Sequence, residues 1–533
     1  IDRYTIDGKY SQVMLSAREL NPGQLQPSAQ TWVNQKLVFT HGLGVTLSPV
    51  NKFTSEGLPQ LLVKDLPPQS SVENLKIDRP QIYFGEGPQD YVITDTATEE
   101  FDYAKGDANV YTTYKGKGGV EIGGFFRKLL FAFRFGDVKL LLTGDISPES
   151  KILFYRDLDV RLKRIAPFIT LDADPYIVIS EGKLKWIQDA YTTADSFPYS
   201  TYVRVSDFKQ INYIRNSVKI VMDAYDGRPL FFISDPSDPI INAYANIFPD
   251  LFYDLKQLPS DLKQHLRYPE ELFKIQSRMY GTYHMKDANV FYNKEDMWAI
   301  PNEVYGEGSE VVMDPYYIIM TLPGESKEEF ILMTPFTPQN KDNMIGWLAA
   351  RSDGDRYGKL VVYKFPKERL IYGPMQIEAR IDQDASISEQ LTLWDQRGST
   401  VIRGNLLVIP VDHSILYVEP LYLIAEKTQL PELKRVIVSD GSTVVMERDL
   451  DVALGRIFKA DAIKTAAGEE LTDEEKEAIT ETVKAGIEFD KDLVAQAIQY
   501  HRDIGESMKQ GDWAGIGKNY DNLGLVLERL QEE

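Results

Sequence analysis

The chain contains no cysteine. That absence removes disulfides, thiolate nucleophiles and cysteine metal ligands together. Histidine is almost as scarce, with five in 533 residues: His41, His265, His284, His413 and His501. No two stand close enough for a local zinc motif such as H-E-x-x-H, so a histidine metal centre would need distant segments. Long uncharged apolar runs are missing too. The nearest approach is "FFRKLLFAFRFGDVKLLLTG", residues 125–144, which carries Arg127, Lys128, Arg134, Asp137 and Lys139. Each of these is costly in hydrocarbon. The first residues show no secretory signal pattern, and Ile1 opens the chain in place of methionine. The expectation is a segment processed or excised from something longer. Two catalytic signatures are also lacking: the phosphate-cradling G-x-x-x-x-G-K-[ST] and the serine elbow G-x-S-x-G.

Positive charge is in deficit, with 59 bases against 80 acids and a net charge of −21. Such a surface repels phosphate backbones, so nucleic acid is excluded as an expected partner. It also repels anionic lipid headgroups, which argues against adsorption through a basic face. What is present is apolar matter sufficient to fold: 43% hydrophobic and 11% aromatic residues. The length exceeds one ordinary core. The expected division is a strand-rich part at 1–239, a helix-then-strand part at 240–450 and an acidic helical tail at 451–533.

Strand signals dominate up to about residue 447. "YIVISEGKLKWIQDAY" predicts a hairpin turning at Glu181-Gly182, and "VKIVMDAYDGRPLFFIS" another at Asp226-Gly227. "KRVIVSDGSTVVM" adds a third at Asp440-Gly441. "KLLFAFRF" and "KLLLTG" read as further short strands. Helices are expected between residues 240 and 280. The clearest is "YPEELFKIQSRMY", with Leu272, Ile275 and Met279 on one face. In the tail, Thr472 with Glu475 forms a capping box, and two later apolar stripes predict a helical hairpin. The fold class is therefore α+β: a strand-rich mixed body with inserted helices and a C-terminal helical hairpin.

A series of longer stretches carries a resemblance. "RELNPGQLQPSAQTWVNQKLVFTHGLGVTLSPVN", "GLPQLLVKDLPP" and "PQIYFGE" begin it, followed by "INYIRNSVKIVMDAYDG" and "HLRYPEELF". "LPGESKEEFILMTPFTPQNKDNMIGWLAARSDGDRYGKL", "GPMQIEARIDQD" and "GNLLVIPVDHSILYVEPLYL" complete it. From about Asp2 to Leu454 the chain resembles the large bacterial membrane proteins of uncharacterised protein family 0182. "GDWAGIGKNYDNL" in the tail is similar to that family's C-terminal helical hairpin. The resemblance implies several transmembrane helices ahead of Ile1 and a water-exposed region on the extracytoplasmic side of the plasma membrane. It brings no reaction and no catalytic residues.

Candidate sites must come from the residues. "WLAARSDGDRYGKL" sets Asp353 and Asp355 either side of a glycine, flanked by Arg351 and Arg356. Oxygen ligands this close could serve calcium. Counting from Asp353, however, Tyr357, Lys359 and Lys364 occupy ligand places of an EF-hand loop, so that geometry fails and a charged turn is the plainer expectation. "QIEARIDQD", if a strand, puts Glu378, Arg380 and Asp382 on one face, with Asp384 at its end. Such a wall is either a solvated surface or one side of a hydrolytic cleft. His41, beside Gly42 and Gly44, is either structural or a proton carrier. Asp172 and Asp174 precede Pro175, and Asp235 and Asp238 each precede a proline. Turn formation is the main expectation there and metal binding the alternative. The functional expectation is a binding or interaction module coupled to membrane helices, recognising an envelope protein or glycan. The alternatives are a carboxylate-based, possibly calcium-dependent envelope hydrolase and a transporter accessory domain.

Overall fold

The computed structural model describes residues 1–466, apart from 88–89, 205–209, 367, 397, 412–413 and 426–429. The Thr472 capping box and the C-terminal helical hairpin lie outside the described residues. Residues Ile1–Ile457 form one compact unit and Phe458–Glu533 a second. The first unit is α+β, built from several antiparallel sheets with helices inserted between them. Among the described residues no helix is long and apolar enough to cross a membrane.

The central sheet grows from two hairpins. Strands Tyr176–Ser180 and Lys183–Ala194 turn at Glu181-Gly182, and Tyr213–Asp223 and Pro229–Ile233 turn around Gly227. Gly182 and Gly227 both have positive φ, the backbone state for which glycine carries no steric penalty. The long strands pair antiparallel, with Asp189 opposite Lys219 in mid-strand. One face buries Trp186, Ala190, Val218, Ile220 and Met222 in the largest apolar cluster. On its other side this cluster takes Val45, Leu47 and Val63 from the N-terminal sheet, whose leading strands are Asp2–Ile6, Lys9–Ala17 and Val45–Pro49. A third sheet centres on Glu328–Pro338 and Gly346–Arg351. Its fully buried Phe330, Leu332, Phe336 and Leu348 meet Tyr191 of the central sheet and Phe273 of helix Glu270–Tyr283. That cluster thus takes residues from both sides of position 240. A fourth sheet, centred on Ser414–Ala425 and Pro431–Ser439, turns at Asp440-Gly441 as expected.

Two expected strands are helices. "FFRKLLFAFRF" forms helix Phe125–Phe135, and "KLLL" the short helix Lys139–Leu142. A mostly apolar run with few charges fits both periods. What decides is its eleven-residue length and Gly136, whose left-handed φ of 64° lets its N–H reach the Ala132 and Phe133 carbonyls. "PMQIEARIDQ" forms helix Pro374–Gln383, not a strand. Pro374 supplies the preset first-turn φ, and the Gln376 side chain accepts from the Gly373 N–H at 3.0 Å. Ile377 and Ile381, four apart, are both fully buried. Gly373 is needed for closeness: a Cβ there would sit 1.7 Å from the Asp342 carbonyl oxygen.

Candidate functional site

The helical state of residues 374–383 rearranges the expected wall of charges. Successive helix positions diverge by about 100°, so Glu378, Arg380 and Asp382 do not share the face that a strand would give them. Glu378 points inward and is buried. It meets Arg403, and its Oε1 accepts from the Val304 N–H at 3.3 Å. Arg403 also grips Glu419 through two nitrogens, at 2.6 and 3.0 Å, and Asp382 at 2.9 Å. Burial, then the neighbouring Glu419 charge, pushes Glu378 up to about 8 against the pull of Arg403. Burial raises Glu419 as well. At neutral pH the two carboxyls and one guanidinium therefore hold a proton between them. Arg380 is elsewhere, stacked 4.2 Å from the Tyr372 ring and donating to the Gly441 carbonyl at 2.6 Å. Asp384 caps helix Ala385–Trp394 by accepting from the Ser386 and Ile387 amides, and the Ser386 hydroxyl, then the Ile387 amide, hold it below the usual carboxylate range.

Asp353 belongs to a different network. It accepts from Arg3 Nη2 at 3.2 Å, the Tyr10 hydroxyl at 2.7 Å and the Phe330 N–H at 2.7 Å. Arg3 also donates to the Leu266 and Ser352 carbonyls, at 2.7 and 3.2 Å. The Asp353–Arg3 pair is thus a staple joining the N-terminal strands, residue 266 and the third sheet. Asp355 is exposed in the short turn Gly354–Arg356. Arg351 turns away from both aspartates toward Glu329 and Glu325, at 2.7 and 3.0 Å, and Arg356 pairs with the same two glutamates. Asp353, Asp355, Glu378 and Asp384 therefore occupy separate environments. His41 is buried, with Nδ1 3.0 Å from the Gly42 carbonyl and Nε2 3.9 Å from Asp102. Its Nε2 has no hydrogen-bond partner, and burial lowers its pKa, so it is a neutral core histidine. Asp238 caps helix Pro239–Ile247 while accepting from Thr192, Ser217 and Tyr213. Asp172 accepts from the Tyr191 hydroxyl, and burial with the Asp189 charge lifts it to about 6. Among the described residues no group of three or more His, Asp or Glu side chains is arranged to hold a metal ion.

What the chain does form is a cavity of about 510 Å³ beside the central sheet. Its walls include Leu15, Tyr176 and Trp186, and its acids are Asp2, Glu19, Glu86 and Asp174. Glu19 is fixed by the loop it faces, accepting from the Glu86 N–H at 2.7 Å and the Gly87 N–H at 3.0 Å. Gly85 permits this approach, since a Cβ there would lie 2.2 Å from a Glu19 oxygen. Glu86 is pushed up by partial burial, then by the charges of Glu19 and Asp174. Asp174 and Asp2 are partly neutralised beneath, by Arg267 and His265 respectively. Burial alone would raise the Asp2 carboxyl, but His265, by charge and hydrogen bond, brings it below its ordinary value. The cavity offers an electronegative mouth over an apolar wall, suited to a cation carried on an apolar stem. Asp174 had a local signal in "LDADPY". Glu19 and Glu86 had none, because 67 residues separate them and only the fold brings them together.

A family model described as "Uncharacterised protein family (UPF0182)" matches residues 1–394. The chain belongs to this family. A UPF0182 protein of Desulforamulus reducens is 53% identical over the whole chain, which spans 57% of that relative. One of Pelotomaculum thermopropionicum is 51% identical, again over the whole chain and 57% of the relative. One of Methanospirillum hungatei is 55% identical over 86% of the chain and 51% of the relative. The chain thus spans a little over half the length of the curated UPF0182 relatives it matches. No solved structure matches it.

Proposed function

We propose that this UPF0182 region is a recognition module of a multi-pass membrane protein, displayed on the extracytoplasmic side and coupled to membrane helices elsewhere in the full-length protein. Its ligand is a cation with an apolar stem, such as an amine or a basic peptide segment of an envelope protein. The observation that carries the reading is the 510 Å³ cavity with Glu19, Glu86 and Asp174 on its walls. The carboxylates that a hydrolase would need are already engaged in separate internal contacts, with Asp353 bound to Arg3 and Tyr10 and Glu378 to Arg403.

The test is calorimetric titration of the 533-residue chain with spermidine and with a lysine-rich peptide. The expected result is saturable binding that falls about tenfold in Glu19→Gln/Glu86→Gln, a loss on the scale of one or two exposed ion pairs. Equal binding by parent and variant would reduce the effect to general attraction by a net charge of −21 and sink the reading. Placement is tested separately, by protease access to a tagged full-length relative in intact spheroplasts. Protection until the cells are lysed would contradict the outer location.

A further inference from the structure

Helices Phe125–Phe135 and Lys139–Leu142 present a surface that the rest of the fold does not use. Their inner side is firmly packed: Ala132 and Leu140 are buried, and Phe131 and Phe135 stack with each other and lie against Phe154. The outer side is bare. Phe126 is 78% exposed, Phe133 89% and Leu142 77%, with Phe125, Leu130 and Val138 also open to solvent. On a helix of about 100° per residue, positions 125, 129, 133, 126 and 130 fall on one continuous arc of about 140°. A monomer in water seldom displays so large an aromatic face.

The charges beside this arc decide what covers it. Residues 121–142 hold four bases, Arg127, Lys128, Arg134 and Lys139, against two acids, Glu121 and Asp137, a local balance of +2 in a chain of −21. Glu121 pairs with Arg127 at 3.4 Å, and Lys128 reaches the Ile146 carbonyl at 3.4 Å. Asp137 faces inward, accepting from Trp32 Nε1 at 2.7 Å and the Tyr91 hydroxyl at 2.5 Å. Arg127 and Arg134 follow the apolar arc on the same edge of the helix, and Lys139 opens the second helix. The overall acidity that argues against adsorption to anionic lipid is an average, and it does not hold at this face.

We propose that the helical pair spanning residues 125–142 is a bilayer-docking element, which lays its phenylalanine face into the interfacial layer of an anionic membrane with Arg134 and Lys139 at the headgroups. An element of this kind would hold the large unit against the membrane by a second point besides any covalent connection. The inference stands apart from the acidic cavity, and neither depends on the other.

Vesicle flotation of the 533-residue chain tests it, using phosphatidylcholine alone and phosphatidylcholine with about 30% phosphatidylglycerol. The expected result is flotation with the anionic vesicles, weakened by salt and lowered at least about tenfold in Phe126→Asp/Phe133→Asp. Both positions are exposed, so the melting temperature of the variant should match the parent. The control Tyr292→Asp, at an 85% exposed aromatic on another helix, should float like the parent. In Phe126→Trp the indole emission should shift to the blue with anionic vesicles and be quenched by lipids brominated near the headgroup. A chain that stays at the bottom with every vesicle overturns the proposal. So does a variant that floats as well as the parent. If the double variant instead turns a dimer into a monomer while the parent ignores vesicles, a second copy covers the face and the proposal fails.

Discussion

Arg403 serves two carboxylates that water hardly reaches, Glu378 at 1% and Glu419 at 0% exposure. Arg403→Met keeps an apolar stem of similar length and removes the charge. A carboxylate stranded in that site escapes by taking up a proton. At pH 7 protonation costs about 1.4 kcal/mol for each unit above the ordinary value of 4.5, and since burial already raises Glu419 in the parent, the added cost stays below roughly 3 kcal/mol. Glu378, lifted to about 8, already holds a proton at neutral pH, so the new cost falls on Glu419. At about pH 5 the same arithmetic leaves under about 1 kcal/mol. The sign follows from the raised carboxyl: its contribution to stability is complete below the ordinary value and is lost as pH rises through the folded value. The deficit of Arg403→Met against the parent should therefore grow from about pH 5 to pH 7. Urea unfolding of both proteins across that range measures it. A deficit of the same size at both ends would refute the reasoning and assign the loss to packing.

Other expectations follow from the same geometry. Glu378→Gln imitates the protonated acid, so its stability relative to the parent should rise as pH climbs from about 4.5 to about 8 and level off above that. Thermal melts at mildly acid and alkaline pH check this, and a fall with pH would contradict it. Lys219→Met strands Asp189, which is 2% exposed, and should cost about 3–5 kcal/mol in urea unfolding. Adding Asp189→Leu should recover most of that loss, because the pair is then replaced by apolar side chains. Gly373→Ala drives a Cβ to 1.7 Å from the Asp342 carbonyl oxygen. It should lower stability by about 2 kcal/mol or more, and an unchanged urea midpoint would mean that this close approach is not made.

Local chemistry was legible in the sequence wherever it decides structure. The hairpin turns at Glu181-Gly182 and Asp440-Gly441 and the helix Glu270–Tyr283 follow from turn residues and from apolar spacing within a few positions. Of the three segments that went the other way, two carry both patterns at once. In "QIEARIDQD" the charges at 378, 380 and 382 alternate like a strand, while Ile377 and Ile381 repeat like a helix. Burial of the isoleucines won, and the one charge the helix turns inward with them, Glu378, is met there by Arg403. Helix Phe125–Phe135 was harder, because its apolar residues outnumber Arg127, Lys128 and Arg134 so far that they fill both faces of either period.

The acids illegible in the sequence share one property: their partners are remote. Asp353 and Arg3 are 350 residues apart, Asp2 and His265 are 263 apart, and Glu378 and Arg403 are 25 apart. Read along the chain, such carboxylates look free for catalysis. In the fold, a charge in a seam between sheets must be matched there, because an unmatched one costs several kcal/mol. The most buried acids are thus the ones most fully engaged with the protein itself. Charge left over for an outside ligand has to lie where solvent still enters, as at Glu86 beside the central sheet. Candidate sites in this family are therefore better sought at cavities whose carboxylates repel one another than at the acid-rich strings of the sequence.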